Sequence, residues 1–488
     1  MREQLRDEIN HELDENLKYI KDTLVDNYDF VYREFYADKW KVALVYIDGM
    51  SDKVVLNDYV MEPLMLAYRH KIETQGELIS KVLALTDLRP VDKLKDGINA
   101  ALAGECLMLI DGMDKVYVLA TRAWPARGVS EPSGETVVRG SREGFTETIR
   151  FNTALVRRRI RDTRYRAKPK MIGTRSKTDI AILYIEDIAD KNLVIEVEKR
   201  LDEIQIDAIQ DSGYIEQMIE DNKLSPFPQV QSTERPDVVA AAIYEGRVAI
   251  LVDNSPFALI VPGSLPALFQ SPDDYNQRWM HSSLIRILRV FAMIAALTAP
   301  ALYIATTAFH TNILPTKLAY SIAASREGVP FPAFVEALIM EISMALLIEA
   351  ILKLPKAIGS TIGIVGGLVV GQAAVSAGIV SPIMIIIVGL TAVTTFLTPN
   401  YGVVSAFRAI RIILIILASV LGLYGVAMGM IYVIIHLLKL TSFGTPYLAP
   451  FANPTRSELK DMIMRYPLKS FIKRPSFLNP NDKIRQKK

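Results

Sequence analysis

The sequence contains a single cysteine, Cys106, and five scattered histidines in 488 residues. One cysteine excludes an internal disulfide framework and a cysteine-based metal site, and it fits a reducing compartment. No histidine belongs to an HExxH or similar ligand spacing, and the chain has no P-loop and no nucleophile elbow. The sequence therefore predicts no enzymatic activity, no cofactor and no metal site.

The N-terminal segment lacks the apolar core of a signal peptide. Instead, Leu5, Ile9, Leu13, Leu17 and Ile20 recur every three or four residues, as on one face of an amphipathic helix. We expect this helix to pack against its own domain. A coiled contact between subunits is the alternative, although the run is short for one.

Charged residues are almost absent from long stretches between about Leu284 and Leu440. A hydrocarbon core of about 30 Å requires about 20 apolar residues in a helix, so these stretches predict a membrane domain. Five are present, at Val290–Phe309, Ala333–Leu352, Ile358–Val380, Ile383–Thr398 and Ile412–Leu438. Basic residues before the first stretch and in the tail indicate that both flanks are cytoplasmic. Two cytoplasmic ends require an even number of crossings, whereas five stretches give an odd one.

The polar half contains an internal repeat. The segment from Lys41 to Val60 resembles that from Asp179 to Glu198, and the strand pair from Cys106 to Ala120 resembles that from Val248 to Pro262. In each of these two strand pairs, two apolar strands are joined by a turn that contains an aspartate, Asp111 in the first and Asp253 in the second. The repeat predicts two related α/β subdomains. We expect the turn aspartates to cap the turns rather than to bind ligands.

The predicted fold class is an α/β soluble N-terminal region of two related subdomains, followed by an α-helical polytopic membrane domain. The predicted divisions are an amphipathic helix (1–37), subdomain 1 (38–140), a basic linking helix (141–176), subdomain 2 (177–282), a membrane domain of four to six apolar stretches (283–440) and a basic tail (441–488).

Arginines are concentrated between the two repeats, where Arg157, Arg158 and Arg159 follow a predicted helix. Three alternatives compete: a solvated linking helix, an RNA-binding patch, and a surface facing lipid headgroups or acidic partner residues. No aromatic platform accompanies these arginines, which argues against nucleic acid. We favour a helix at a subunit or membrane interface.

The second apolar stretch carries three acids, Glu336, Glu341 and Glu349. Carboxylates in hydrocarbon are costly, so these side chains should face a water-filled path, a cation, a basic partner or the protein interior. Glu336 also suits the N-terminal end of a helix. Glu341 and Glu349 lie near one face, which fits either a cation-conducting wall or a buried structural pairing.

The third stretch spaces Gly359, Gly363, Gly367 and Gly371 four residues apart, with Gln372 beside the last. Bare glycine faces let helices approach closely, so we expect close packing here, at a subunit contact or a gate. Together with the three acids, Gly363, Gly367, Gly371 and Gln372 are the candidate pore or gate residues. Threonines of the fourth stretch either line a polar path or bond their own helix backbone.

Several long segments resemble the A subunits of nutrient germinant receptors from endospore-forming bacteria. They are VVRGSREGFTE (137–147), DSGYIEQMIEDNKLSPFPQVQSTERPD (211–237), EGRVAILVDNSPFALIVP (245–262), SREGVPFPAFVEALIMEI (325–342), GIVGGLVVGQAAVSAGIVSPIMIIIV (363–388) and SFGTPYLAP (442–450). The resemblance spans nearly the whole chain. It implies a multi-pass protein of the spore inner membrane with a cytoplasmic N-terminal domain and two related subdomains.

The resemblance also implies partners and an activity. The partners are a transporter-like B subunit that binds the nutrient and a lipoprotein C subunit. The implied activity is that of a homo-oligomeric, pentameric cation channel gated by the germinant, which triggers germination. Family members often carry a further acid where this chain has Ala345. This difference argues against a pore lined by a simple ring of acidic side chains from the subunits.

Other functions compatible with the residues are a germination-amplifying channel paralogue encoded with the dipicolinate channel proteins, a secondary transporter, and a scaffold subunit. The membrane half shows no inverted repeat, which argues against a transporter.

Overall fold

The computed structural model describes residues 5–123, 132, 134–354, 367, 371–395, 397–451, 458 and 460–486. The chain divides into two compact units. The N-terminal unit comprises Met1–Lys223, Val230–Pro262 and Ile472–Lys488, and the helical unit comprises Leu224–Gln229 and Gly263–Phe471. The chain therefore passes between the two units four times.

The first half of the N-terminal unit is a five-stranded antiparallel sheet with the order β1-β2-β4-β5-β3. Its strands are β1 (Phe30–Ala37), β2 (Trp40–Ile47), β3 (Leu88–Val91), β4 (Cys106–Ile110) and β5 (Val116–Leu119), and its helices are α1 (Leu13–Thr23), a π-helix (Val55–Met61) that continues into α2 (Glu62–Met65), a 3-10 turn (Ala67–Arg69), α3 (Gln75–Val82) and α4 (Leu94–Leu102). Alternate residues of β2 face opposite sides: Ala43 and Val45 join the core with α1 and α4, and Val42 and Leu44 join the core with the helices between β2 and β3.

The second half repeats this topology in a sheet with the order β6-β7-β9-β10-β8, also antiparallel throughout. Its strands are β6 (Tyr165–Ile172), β7 (Thr178–Ile185), β8 (Gln231–Thr233), β9 (Val248–Val252) and β10 (Ala258–Val261), and its helices are α5 (Ile149–Arg157), α6 (Lys191–Asp202), α7 (Ser212–Ile219) and α8 (Pro236–Glu245). Each strand of the first sheet thus has a counterpart five strands later.

The turn aspartates show how far each repeat extends. Asp111 Oδ1 accepts a hydrogen bond from Leu13 N at the start of α1, and Asp253 Oδ1 accepts one from Ile149 N at the start of α5, both at 3.0 Å. Each carboxylate satisfies an N-terminal amide of a helix distant in sequence, whereas the sequence predicted that these aspartates cap their own turns. The structure places α1 and α5 inside the repeats, as matching first helices, and not outside them as a separate N-terminal helix and a linking helix.

The end of the chain returns to the N-terminal unit. Asn481 N and Asp482 N donate to the carbonyl oxygens of Ile188 and Asp187, at 2.9 and 3.0 Å. Arg474 Nε donates to Tyr244 O at 2.8 Å. Residues that precede the helical unit in the sequence and residues that follow it therefore fold together in the N-terminal unit.

Seven helices of the helical unit have both ends within the described residues: α9 (Leu265–Leu268), α10 (Asp273–Asn276), α11 (Trp279–Ala308), α12 (Thr316–Arg326), α13 (Ala333–Lys353), α14 (Pro382–Thr395) and α15 (Tyr401–Lys439). Residues 371–376 are also helical. A two-residue ladder, β11 (Thr441–Ser442) with β12 (Thr445–Pro446), follows α15, and further 3-10 turns lie at Thr311–Ile313, Leu468–Ser470 and, in the N-terminal unit, Ser476–Leu478. Among these, α11 and α15 are long and apolar enough to cross a membrane.

Buried ion pairs hold the beginning of α11. Arg286 Nε and Arg289 Nη1 both lie about 3 Å from Asp274 Oδ2, at 3.1 and 3.0 Å. Arg286 also pairs with Asp461, beyond α15, at 2.9 Å. These arginines, which the sequence indicated as a basic flank, are thus bound within the helical unit.

Helix α15 reverses direction at Gly422, which has φ 61° and ψ −141°. Phe407 and His436 would lie about 43 Å apart in an unbroken helix, yet the ring of Phe227 is 5.6 Å from one and 6.1 Å from the other. A Cβ added at Gly429 would lie 2.5 Å from Leu414 Cδ2, so the limbs pack face to face. The fifth apolar stretch is therefore a helical hairpin with limbs 401–421 and 423–439, and the prediction of a single span there was wrong. Glycine supplies the positive φ of the turn and allows the close approach.

Candidate functional site: charged residues of the apolar helices

A buried ion pair joins α13 to the first limb of the hairpin. Glu341 Oε2 lies 2.9 Å from Arg411 Nη2, and the two side chains are 4% and 6% exposed. Arg411 Nη1 also donates to Ala296 O on α11, at 3.2 Å. Three helices thus meet at this pair, which compensates two charges that an apolar interior penalises when they are unpaired.

The pair borders a cavity that is also lined by Thr391, Thr395 and Arg408. Within the described part of the chain, Glu341 Oε1 and Arg411 Nε have no hydrogen-bond partner. Both threonine hydroxyls donate to carbonyls of α14 itself, at 2.7 and 2.6 Å, so the alternative that they bond their own helix is confirmed. One acid, two arginines and these hydroxyl oxygens form a polar site with a formal excess of one positive charge. We call these five residues the charged site.

Glu336 occupies a different place, at the first turn of α13. It is fully buried, accepts a hydrogen bond from Ser381 N at 2.8 Å, and pairs with Arg326 at 3.1 Å. Its position near the helix N-terminus also suits a negative charge. Glu336 therefore fixes the end of α12 and the start of α14 to α13.

Glu349 is 55% exposed at its side chain and pairs with Lys353 one turn later, at 2.8 Å. The three acids of α13 are thus bound to three different cations, at three positions along the helix, and do not form one cluster. Their assignment as pore or gate residues stays a prediction.

The predicted glycine face is only partly described, because Gly363 lies outside the described residues. Among the described residues, a Cβ at Gly367 would meet no atom within 4 Å, and one at Gly371 would meet Ile385 at 3.8 Å. Gln372 is exposed. Toward the described part of the chain, Gly367 and Gly371 therefore make no close approach, in contrast to Gly425 and Gly429 in the hairpin.

The interface candidates in the N-terminal unit are bound within it. Arg157 is fully buried: its Nε and Nη2 atoms lie 2.9 and 2.7 Å from the two oxygens of Asp29, and its guanidinium stacks over Tyr165. Arg158 and Arg159 share the carboxylate of Glu143. The prediction that this segment faces a subunit or membrane surface does not hold for Arg157, because its position joins the first repeat to the second.

The sequence reasoning missed Arg408 and Arg411. They precede the uncharged run that begins at Ile412. The available signal was their spacing: residues three apart lie on one helix face. A helix face with two arginines beside an apolar run indicates an acidic counterpart, which α13 supplies.

Comparison with known proteins gives consistent results over nearly the whole chain. Residues 18–477 match the family model described as Bacillus/Clostridium GerA spore germination protein. Over 483 residues the chain is 44% identical to spore germination protein B1 of Bacillus subtilis (strain 168), covering 98% of this chain and 100% of that protein. Over 478 residues it is 40% identical to spore germination protein GerLA of Bacillus cereus, covering 97% of each.

Among solved structures, the chain matches the crystal structure of the N-terminal domain of the A subunit of the Bacillus megaterium spore germinant receptor GerK3. The identity is 34%, the match covers 53% of this chain and 98% of that one, and the TM-score is 0.43.

Proposed function

Because this chain belongs to the GerA family of Bacillus/Clostridium spore germination proteins, we propose that it is the A subunit of a nutrient-responsive germinant receptor. In this role it forms a homo-oligomeric, ligand-gated cation channel in the spore inner membrane, with a transporter-like B subunit and a lipoprotein C subunit as partners. Opening of the channel triggers germination.

A multi-pass arrangement with an even number of crossings is the first part of this proposal. It is supported by the turn of the hairpin: a Cβ at Gly422 would lie about 3 Å from side-chain atoms of Phe309 and His310, directly after α11. The first limb therefore runs from the level where α11 begins to the level where α11 ends, and the second limb returns. Limbs of 21 and 17 residues correspond to about 31 and 25 Å, close to the thickness of the hydrocarbon core.

Helices α13 and α14 supply the remaining passages in this proposal. Glu336 at the start of α13 pairs with Arg326, which ends the short helix after α11, and Ser381 N at the start of α14 bonds the same carboxylate. Both helices therefore start at the level where α11 ends. The third apolar stretch (Ile358–Val380), which lies largely outside the described residues, is predicted from its sequence to supply the passage between them. With that stretch the proposal has six passages, an even number, which leaves the residues before α11 and those after the hairpin on the same side of the membrane.

The topology predicts which positions are reachable from outside. In a Cys106→Ser background, we expect an impermeant maleimide to label Lys317→Cys in intact right-side-out vesicles, and to label Arg175→Cys and Lys483→Cys only after permeabilisation. All three side chains are exposed in the structure. A difference in labelling would therefore report the side of the membrane on which each residue lies. Labelling of Lys483→Cys in sealed vesicles, at a rate matching Lys317→Cys, would contradict the six-passage arrangement.

The charged site is the observation that carries the channel proposal. An apolar helix bundle retains charges at a cost, and such charges mark ion pathways or the elements that gate them. We assign the described arrangement, in which Glu341 is bound to Arg411, to the resting state. Conduction then requires a rearrangement of α13 against the hairpin.

The activity is tested by reconstitution. The full chain, purified with its B and C subunits, is expected to form a complex with several copies of this chain and to release K⁺ from loaded liposomes when a mixture of amino acids, glucose and inosine is added. Liposomes with the B and C subunits alone are the control. A complex with one copy of this chain and no K⁺ release would favour the scaffold alternative.

A further inference from the structure

The segment Leu224–Gln229 connects the two units in an unusual way. It lies between α7 and β8 of the N-terminal unit, but its contacts assign it to the helical unit. Five of its six residues are the SPFPQ sequence, and the ring of Phe227 is 1% exposed. A loop with two prolines and a buried phenylalanine is stiff, because proline fixes its backbone φ.

Phe227 contacts both limbs of the hairpin at their open end. Its ring lies 5.6 Å from Phe407 of the first limb, nearly perpendicular to it, and 6.1 Å from His436 of the second limb. Ser225 Oγ adds a hydrogen bond to His436 Nε2 at 2.9 Å. One short segment therefore holds two helices whose only covalent link is the turn at Gly422.

The backbone of the segment is fixed by residues that follow the second limb. Tyr447 Oη donates to Pro228 O at 2.8 Å, and Ser442 Oγ donates to Gln229 O at 2.6 Å. Ser442 in turn accepts from Gly263 N at 2.9 Å. These hydrogen bonds hold the segment at the base of the hairpin in the described arrangement, so a displacement of the segment has to break them.

The contact also leads directly to the charged site. Phe407 precedes Arg408 and is one turn from Arg411, and all three line a second cavity with Thr394 and Thr395. If the first limb slides along its axis or rotates about it when Phe407 is displaced, both arginines move relative to Glu341. On the other side, Gln229 is separated from β8, which pairs with β10, by a single residue.

We propose that Leu224–Gln229 is the transmission element of the protein: a change of α7 or β8 moves Phe227 between the limbs of the hairpin and so shifts Arg408 and Arg411 against Glu341. This proposal rests on the gated channel proposed above and specifies how it is regulated. The element has two arrangements, with Phe227 inserted in the resting state and withdrawn in the conducting state.

The test uses the full chain with its B and C subunits in K⁺-loaded liposomes. Phe227→Ala removes the ring that bridges the limbs in the resting state, so nutrient-independent K⁺ release is expected to rise about tenfold, as for the loss of one or two aromatic pairs. Phe269→Ala is the matched control, because Phe269 is also buried but, among the aromatic rings of the described residues, its ring pairs with Phe407 at 6.4 Å and neither with a ring of the second limb nor with Phe227. We expect it to change basal release less than twofold.

A second measurement separates transmission from folding. In a Cys106→Ser background, Ser225→Cys and His436→Cys are joined by a short, reducible bis-methanethiosulfonate cross-linker. Release evoked by the mixture of amino acids, glucose and inosine is expected to fall at least tenfold after cross-linking and to recover with reductant. Unchanged release after cross-linking would overturn the proposal, even if Phe227→Ala does not assemble.

Amide hydrogen exchange distinguishes failure of this proposal from failure of the channel proposal. In Phe227→Ala, exchange is expected to speed up both in α7 and in residues 403–411, whereas Phe269→Ala affects only the latter. If the wild-type complex releases no K⁺, the channel proposal fails and the exchange pattern still decides on transmission. If Phe227→Ala changes neither exchange in α7 nor K⁺ release, transmission through this segment is wrong.

Discussion

Replacing Arg157 by alanine is expected to lower the free energy of unfolding of the N-terminal unit by about 3–5 kcal/mol, the range for breaking a buried ion pair. The substitution leaves the Asp29 carboxylate, which is 4% exposed, without its bidentate partner. It also removes the hydrogen bond from Arg157 Nη2 to Asn27 Oδ1, 2.6 Å long, and the guanidinium that covers Tyr165. Losses of this size approach the total stability of many domains.

The cost falls on the junction between the two repeats. Tyr28 N donates to Ala167 O and Ala167 N donates to Asp26 O, at 3.3 and 3.2 Å, so the segment before β1 is held against β6. Arg157 fixes the same segment from α5. Equilibrium urea unfolding of the detergent-solubilised chain measures the change in stability, and amide exchange of β6 shows whether the junction opens first.

Arg175→Ala is the matched control for this prediction. Arg175 is 83% exposed and pairs with Asp207 at 3.5 Å, so its removal should change the free energy of unfolding by less than about 0.5 kcal/mol. The double variant Arg157→Met with Asp29→Leu removes both charges and is expected to recover most of the loss. Equal stabilities of Arg157→Ala and Arg175→Ala would show that Arg157 does not join the repeats.

The repeat could be recognised from the sequence because its strands carry strong, similar patterns. Buried strands with apolar residues throughout, followed by a turn aspartate, retain enough identity for Asp111 and Asp253 to be matched. The first helices share no such identity, since a surface helix needs only a stripe of apolar residues. Their equivalence is evident from the structure, where the first amide of each helix donates to the matching aspartate of its repeat.

The hairpin could not be predicted because its signal is a single residue. A run from Ile412 to Leu438 without charge is typical of one long span, and glycine is common in apolar helices without ending them. Reversal at Gly422 depends on the packing of one limb on the other, which is a tertiary contact. The sequence analysis counted five apolar stretches, whereas two cytoplasmic ends require an even number of crossings. Counting the fifth stretch as two limbs makes the number of proposed passages even.

The three acids of α13 each have a basic partner in the structure, but the sequence did not say which. Periodicity gives the face of a helix and not what lies opposite. Arg411 is 70 residues from Glu341, and only the antiparallel packing of α13 on the first limb brings them together. The sequence likewise gave no reason to connect SPFPQ with the apolar helices, because the segment lies between elements of the second repeat.

The other large effect is expected at Glu341 and Arg411. Glu341→Gln and Arg411→Gln each leave one charge uncompensated among apolar helices, which costs about 3–5 kcal/mol in the state that contains the pair. If that state is the resting one, each single variant is expected to raise nutrient-independent K⁺ release by at least tenfold. Liposome release by the reconstituted complex measures this, with the amount of assembled complex determined in parallel.

The double variant decides whether the two residues act as a pair. Glu341→Gln with Arg411→Gln removes both charges of the pair and returns the charged site to its wild-type formal charge, so basal release should return to within a fewfold of wild type, giving a coupling energy of a few kcal/mol in the mutant cycle. Glu349→Gln is the control, since Glu349 is half exposed and bound to Lys353 on its own helix. We expect less than a twofold change from it.

The same cycle distinguishes two roles for the Glu341 carboxylate: stabilising (bracing) the resting state, or lining the path of the conducted ion. A carboxylate that only braces the resting state leaves no trace once both charges are removed, so the double variant should conduct K⁺ as wild type does when opened. A carboxylate that lines the conducting path contributes to cation binding in the open state, and its loss would lower K⁺ conductance in both Glu341→Gln and the double variant. Because Arg411 neutralises Glu341 and Arg408 adds a positive charge nearby, the described arrangement favours bracing. Reduced open-state K⁺ conductance in the double variant would contradict that conclusion and assign Glu341 to the path itself.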